Sequence, residues 1–425
     1  MKNILTIFFL FFITKAFSQA NVLPAVPQTG VMQLAHGTVH VGNGDVIEDG
    51  MIVFSNGKIT NVGKYASMAD AKMIDCTGKQ IYPGLILAGS EIGLSEISAV
   101  RSQHDEYELG NLNPDVRSLV AYNTDSKIIN TVRSNGVLLA NIIPNGDLLA
   151  GSSSVMQLDG WNWEDAVYKK DIGIAFKMPS LVPDSKENSA DKVLEEANKQ
   201  IEEVRNFFRE AKSYLTQTSH ATTNIKLESV RGLFNQTQTF FVYCDMVNEM
   251  MIAIEFAKEF GFKTVIVGGA ESYKITDYLK QNNIAVVLNQ MHTLPIMQDD
   301  DVDAFAKLPS QLQQAGVLYC INDFDEMNRG RNLMFNAGVA AGFGLTKEQA
   351  LQAITLNAAK ILGIDKQTGS LESGKDANII VSNGDVLDIR SSDIIYAFIQ
   401  GRQLNLDNKQ KQLYERYKTK YGISK

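Results

Sequence analysis

The sequence predicts an α/β protein: a TIM-like (β/α)8 barrel with a composite β-sandwich built from its N- and C-terminal segments. Apolar strand-like runs alternate with helical stretches across residues 83–360, the pattern of a parallel sheet covered by helices. That span is of the length such barrels take, typically about 250 residues. On either side of it, short apolar runs are punctuated by Asn-Gly turns, the signature of antiparallel hairpins.

Residues 1–18 read as an export signal. Lys2 precedes an apolar run, Ile4–Ile13, and Ala16 and Ser18 are small residues before a cut. The run is shorter than the roughly 20 residues that cross a bilayer, and no cysteine stands at the cut for a lipid anchor. The expected location is periplasmic or extracellular. Residues 19–30 form a linker. In 31–82, Gln33–Val41, Met51–Ser55 and Lys58–Val62 are strands separated at Asn43-Gly44 and Asn56-Gly57.

In 83–360 the expected barrel strands are Leu85–Ala88, Val137–Ile143, Val155–Leu158, Ile172–Phe176, Phe240–Tyr243, Thr264–Val267, Ala285–Leu288 and Val317–Ile321. Helices are expected at Lys186–Thr216, Met246–Phe260, Tyr273–Asn282, Val302–Ala315 and Lys347–Leu362. Residues 361–405 return to strands, Ala377–Ser382 and Ile394–Gln400, which complete the sandwich. The tail 406–425 has Leu406, Leu413, Tyr417 and Tyr421 roughly on one face and is expected to dock as a terminal helix.

A net charge of −8 over 425 residues argues against a phosphate-backbone binder, which needs a basic face. Three cysteines, odd in number and far apart, imply neither a disulfide framework nor a zinc knuckle. Five histidines limit the metal chemistry available. No Gly-x-Ser-x-Gly elbow is present, and Gly42-Asn43-Gly44 lacks the third glycine of a dinucleotide loop.

Lys79-Gln80-Ile81-Tyr82-Pro83-Gly84-Leu85-Ile86 resembles the entry to the first barrel strand of the amidohydrolase superfamily. Leu345–Ala350 with Thr355–Gly363 resembles its last barrel helix, and Gly369–Asn378 its glycine-punctuated return to the sandwich. Asn113-Pro114-Asp115-Val116-Arg117 and the run Ala150–Leu158 are similar to secreted imidazolonepropionase-like members. The resemblance implies metal-assisted hydrolysis of amide or other C–N bonds in small-molecule or peptide-like substrates. It also implies zinc held by His-x-His after strand one, by His on strands five and six, and by Asp on strand eight, with that Asp as general base.

At those positions this chain has Gly89 and Glu91, Tyr243 or Asp245, Gly268, and Asp323 with Asp325 two residues on. Gly89, Tyr243 and Gly268 are therefore read as vestigial ligand positions. Glu91, Asp245 and Asp323 form a candidate carboxylate cluster at the barrel mouth, with Asp323 the candidate catalytic group. Such a cluster would suit Mg²⁺, Mn²⁺ or Ca²⁺ rather than zinc. The alternative is that these acids are solvated or paired with Arg or Lys, with no cofactor.

His292 follows the strand-seven run and is placed to reach the mouth. Trp161 and Trp163 either wall a pocket or pack a loop. Cys244 is a possible nucleophile with no partner visible in sequence, and a buried small hydrophobe is its commoner role. Two functions are carried forward: an exported hydrolase with a remodelled or absent metal site, and a non-catalytic homologue that binds a ligand or an active paralogue. A homo-oligomer is a further expected partner; nucleic acid and a transmembrane segment are not expected.

Overall fold

A computed structural model describes residues 22–65, 70–97, 99–183, 189–217, 219–289, 291–295, 300–324 and 329–423. The expected leader and Asp325 lie outside the described residues. The first segment forms β1 (Val31–His40), β2 (Val46–Ser55), β3 (Lys58–Gly63), β4 (Lys72–Asp75) and β5 (Gln80–Pro83). Asn56 and Gly57, between β2 and β3, both take positive φ, 50° and 78°, as a two-residue hairpin turn requires.

The barrel strands follow as β6 (Leu85–Ser90), β7 (Val137–Ile142), β8 (Leu149–Gln157), β9 (Val167–Lys177), β10 (Thr239–Cys244), β11 (Thr264–Gly268), β12 (Ala285–Leu288) and β13 (Tyr319–Ile321). They neighbour one another in chain order in one eight-stranded sheet, and β6, β7, β8 and β12 are buried along their whole length. Strands covered on both faces favour continuous apolar runs, which located all eight, but β8 begins six residues before the expected Val155 because buried Gly151–Ser154 are not apolar, and β9 begins five residues before the expected Ile172.

Their directions were not. β8 runs antiparallel to both β7 and β9, while the other neighbours are parallel. The link from β7 to β8, residues 143–148, is too short for a parallel crossover, which takes a dozen or more residues.

β14 (Ile379–Ser382), β15 (Ile394–Ile399) and β16 (Arg402–Gln403) bring the chain back to the first segment. β14 pairs antiparallel with β5, from Ile379 opposite Pro83 to Ser382 opposite Gln80. Both chain ends thus build one eight-stranded sheet beside the barrel. Leu34, Ile52, Phe54, Ile81, Ile379 and Phe398 form its own apolar core.

The barrel has an inner and an outer apolar layer. Ile86, Leu139, Phe241, Val265, Val287 and Cys320 pack inside, together with Ala358, Ala359 and Ile361 of the helix Leu356–Ile361. The alternate residues, among them Leu87, Val242, Ile266 and Ile321, pack outward with the helices. The helix Ala190–Leu215 buries Ala197, Ile201, Val204, Phe208 and Ala211, one stripe at helical spacing.

The single helix expected at Lys347–Leu362 is two, Lys347–Ala353 and Leu356–Ile361. Between them the Ile354 carbonyl accepts the Ile86 N–H of β6, so the chain gives up a helical turn to bond the first barrel strand. The tail helix, Lys409–Lys420, buries no residue. It is tethered at its start, where Asn408 caps it and donates to Ser134 at 2.6 Å. Among the described residues no helix is long and apolar enough to cross a membrane.

Candidate functional site

Strand alternation decides which side chains enter the barrel mouth. Cys320 packs inside and Ile321 outside, so Asn322 faces in and Asp323 faces out. Asn322 is fully buried. Its amide donates to the Gly89 carbonyl at 3.0 Å and its carbonyl oxygen accepts the Gly89 N–H at 3.3 Å. This side chain links the end of β13 to β6, which do not pair with each other among the described residues. A Cβ on Gly89 would meet Ile143 at 3.1 Å, with Asn322 and Phe324 just beyond.

Asp323 lies against the outer helix Leu333–Gly342, where Asn336 donates to its carboxylate at 3.0 Å. Burial raises its pKa, opposed by the Asn336 bond and by the charges of Arg329 and His292. His292 is exposed and lines a groove with Phe335, Leu345, Lys347 and Asp385. It is close enough to Asp323 to be felt electrostatically, on the outer side of the strand.

Tyr243 faces inward among Ile143, Ala150 and Ala175, with its ring 5.8 Å from that of Phe324. Its hydroxyl is buried without a partner among the described residues, and burial raises its pKa further above the ordinary phenol range. Asn141 on β7 donates to the Ala88 carbonyl at 3.0 Å. The Asn141 carbonyl oxygen and the Ser153 hydroxyl on β8 are also buried without partners among the described residues. Asn322 makes a further contact to Asn289 at 3.5 Å. The upper interior is thus lined by neutral polar groups set among apolar ones.

Gly268 ends β11 with φ +102°, and a Cβ there would fall 2.6 Å from Asp245 Oδ1. Asp245 accepts the Ala270 N–H at 3.3 Å, and burial raises its pKa. It borders a small cavity of about 230 Å³ with Leu288, Asn289, Met291 and Phe305.

Glu91 follows β6, close enough to Tyr243 for its charge to add to the rise in that phenol's pKa. Burial first, then the charge of Glu106, pushes the Glu91 pKa up to about 7, with an Asn145 hydrogen bond and His104 opposing. Glu106 is itself buried and bonded to His104 at 2.5 Å. The expected convergence of Glu91, Asp245 and Asp323 is therefore not formed. Among the described residues no three His, Cys, Asp or Glu side chains stand where they could hold one metal ion.

The other histidines are engaged elsewhere: His36 with Asp49, His40 with Glu348 and Gln80, and His220 stacked on Tyr214. Cys244 is buried, and burial holds its thiol far above the ordinary range, so it is not poised as a nucleophile.

Trp161 and Trp163 lie at the other end of the barrel. They follow β8, which runs antiparallel, so the turn carrying them joins β9 at its start. Trp163 packs on the main core, whereas Trp161 is exposed and borders a cavity of about 300 Å³.

Sequence reasoning missed Asn141, Asn322 and Glu106. Asn141 had a signal, a lone polar residue in the run Val137–Ile143. Asn322 was concealed by a one-residue register error that favoured its acidic neighbour. Glu106 lies in a stretch with no periodicity.

The sequence profile of the Amidohydrolase family matches residues 165–404. An imidazolonepropionase of Thermoplasma volcanium is 38% identical over 65 residues, 15% of this chain and 16% of that protein. One of Erwinia tasmaniensis is 50% identical over 48 residues, 11% and 12%. The matched stretches thus span a small fraction of these relatives' lengths. The crystal structure of an amidohydrolase from Thermotoga maritima MSB8 is 25% identical with a TM-score of 0.79, covering 88% of this chain and 99% of that one.

Proposed function

We propose that this chain, which belongs to the amidohydrolase family, is an exported binding member of it: a barrel that takes a small amide-bearing or peptide-like molecule at its mouth without a zinc ion. Family membership supports hydrolase activity on C–N bonds. The observation that carries the binding reading is the Asn322–Gly89 pair. Side chains on these two strand ends supply metal ligands in the family, and here the Asn322 side chain is bonded to the Gly89 backbone.

The remaining donors do not fit zinc. Gly89 and Gly268 have no side chain to offer, Tyr243 is a neutral phenol in an apolar setting, and Asp323 faces the outer helix. Imidazole, the donor that suits a hydrolytic zinc, is absent from these positions. Besides Glu91, the interior offers a ligand neutral groups: the Asn141 carbonyl, the Ser153 hydroxyl and the Tyr243 hydroxyl are buried with no partner among the described residues. Such groups favour an uncharged polar ligand that can bond them.

One observation favours a second reading, hydrolysis without metal. Glu91 titrates near neutrality beside the Glu106–His104 pair, and a carboxyl poised near the working pH suits general acid–base catalysis.

The deciding experiment incubates purified protein with N-acyl amino acids, dipeptides and cyclic amides, with and without added Zn²⁺ or Mn²⁺. The binding reading expects no turnover under any condition, with saturable binding of at least one compound class. Metal-dependent turnover overturns it. Turnover that survives chelation and is lost in Glu91→Gln establishes the second reading in its place.

A further inference from the structure

The tail helix Lys409–Lys420 buries none of its residues, yet one of its sides has the composition of a contact surface. Tyr414, Tyr417 and Tyr421 follow at spacings of three and four, which places them on one face. With Leu413 and Ile423 they line one groove, and the Tyr417 and Tyr421 rings stack at 6.3 Å. The three tyrosines are 64%, 49% and 66% exposed. Contiguous apolar surface left open in this way marks an interaction site.

The helix is also basic. Lys409, Lys411, Arg416, Lys418 and Lys420 stand against one acid, Glu415, which pairs with Lys418 at 3.8 Å. By helical spacing Lys411 and Lys418 edge the tyrosine face on one side and Lys420 on the other. Lys420 lies over the Tyr417 and Tyr421 rings at 5.7 and 5.3 Å. The rest of the chain is correspondingly acidic, since the whole carries −8.

These charges select the occupant. Two such helices face to face would set like charges together. An anionic bilayer would attract the tail but repel the acidic remainder of the molecule. A second copy of this chain offers acidic surface without that conflict. The stretch that answers both features follows β6, at the mouth end of that strand. Ile97, Val100, Tyr107 and Leu109 are exposed there, as are Asp105 and Glu108. Arg101 is the only Lys or Arg between Glu91 and Asn111, so the stretch keeps a negative balance. Ser95 pairs with His104, and the Asp105 N–H donates to the Leu94 carbonyl at 2.9 Å, which closes 96–103 into a loop next to 105–109.

We propose that the tail helix of one copy docks on residues 96–109 of a second copy, with its tyrosines against Ile97, Val100, Tyr107 and Leu109 and its lysines beside Asp105 and Glu108. Exchanged reciprocally, the contact closes as a two-fold dimer. Three rings of about 200 Å² each, more than half exposed, with a matching area of the loop, give on the order of 1,500 Å² for the reciprocal pair. A stable interface buries about 1,200–2,000 Å². The contact does not depend on what the mouth binds, so failure of one reading leaves the other standing.

The mass of the whole protein is measured by light scattering over a concentration series, at physiological and at high salt. The expected result is a monomer–dimer equilibrium whose Kd rises at high salt, because exposed charges are screened. Tyr414→Ser, Tyr417→Ser and Tyr421→Ser combined should raise the Kd at least about tenfold. All three side chains are exposed, so the melting temperature of the monomer should stay unchanged. Lys411→Glu with Lys420→Glu should weaken the dimer similarly, and adding Asp105→Lys and Glu108→Lys to that variant should restore it. A monomer at every concentration, a dimer indifferent to the tail variants, or a tail reversal that the loop reversal does not rescue would overturn the assignment. Monomeric protein that co-sediments with phosphatidylglycerol vesicles through its tail would overturn it too, giving the face to lipid.

Discussion

Asn322 and Gly89 are bonded to each other across the seam of the barrel, side-chain amide to backbone carbonyl at 3.0 Å and backbone N–H to side-chain carbonyl at 3.3 Å. An Asn side chain carries one donor group and one acceptor, as a peptide unit does. It therefore imitates a strand neighbour where, among the described residues, β13 and β6 do not pair.

The pair makes an acid at position 322 unwelcome. Asn322→Asp keeps the acceptor for the Gly89 N–H but sets a buried charge against the Gly89 carbonyl. It should cost more than Asn322→Ala, which leaves two buried backbone groups unpaired at about 1–3 kcal/mol. Chemical denaturation of both variants at pH 5 and pH 8 checks this, with the Asp variant weaker at the higher pH. Equal stability of Asp and wild type at pH 8 would contradict the geometry.

Glu91 should make stability depend on pH. Its folded pKa of about 7 lies above the ordinary 4.5, so the folded state holds the proton more tightly than the unfolded chain. The resulting penalty is absent below about pH 4.5, grows as pH rises, and is complete above about pH 7. Glu91→Gln should therefore stabilise the protein at pH 8, by about 2 kcal/mol after allowance for partial solvent exposure, and much less at pH 4. Melting curves of both proteins across that range measure it.

His40 ties the sheet to the barrel. Its Nδ1 is 2.6 Å from Glu348 and its Nε2 2.9 Å from Gln80, and its ring stacks on Tyr82 at 4.4 Å. Burial lowers its pKa, but the bonds to Glu348 and Gln80 outweigh this and raise it above 6.5. A raised histidine contributes stability that is full below the unfolded pKa of 6.5 and is lost as pH rises through the folded value. His40→Gln should cost about 1 kcal/mol at pH 5.5 and distinctly less at pH 9. Prior replacement of Glu348 by Gln should remove most of that difference, as a double-mutant cycle would show.

Gly268 is required by its backbone. With φ +102° and Asp245 Oδ1 2.6 Å from any Cβ, Gly268→Ala should destabilise by about 1–3 kcal/mol. Asp245→Gly should relieve part of that cost, since the contact goes while the positive φ stays. Urea midpoints of the single and double variants separate the two contributions.

The barrel strands and the sheet shared by both termini were legible where buried strands carry apolar runs and where Asn56-Gly57 turns a hairpin; β8, with Gly151-Ser152-Ser153-Ser154 in its middle, was expected only over Val155–Leu158. What apolar runs lack is direction. Leu149–Gln157 reads the same whether parallel or antiparallel, and only its short link to β7 discloses the reversal. That reversal carries Trp161 and Trp163 to the far end of the barrel, where Trp161 borders a cavity and Trp163 packs on the core. The candidate site was legible as positions rather than as an arrangement. Gly89 and Gly268 are glycines for reasons seen in three dimensions, a neighbour's side chain in one case and a positive φ in the other. The parity of Asn322 against Asp323 rests on which of Cys320 and Ile321 faces inward, and two buried apolar residues in sequence do not reveal it.

The central claim is that the barrel mouth binds without zinc, and metal content tests it most directly. Purified protein is equilibrated with excess Zn²⁺, freed of loosely held metal by gel filtration, and analysed for zinc per chain. The account predicts a value far below one, unchanged in Asn322→Ala. One tightly held zinc per chain, lost on substitution of Glu91, Asp245 or Asp323, would contradict it.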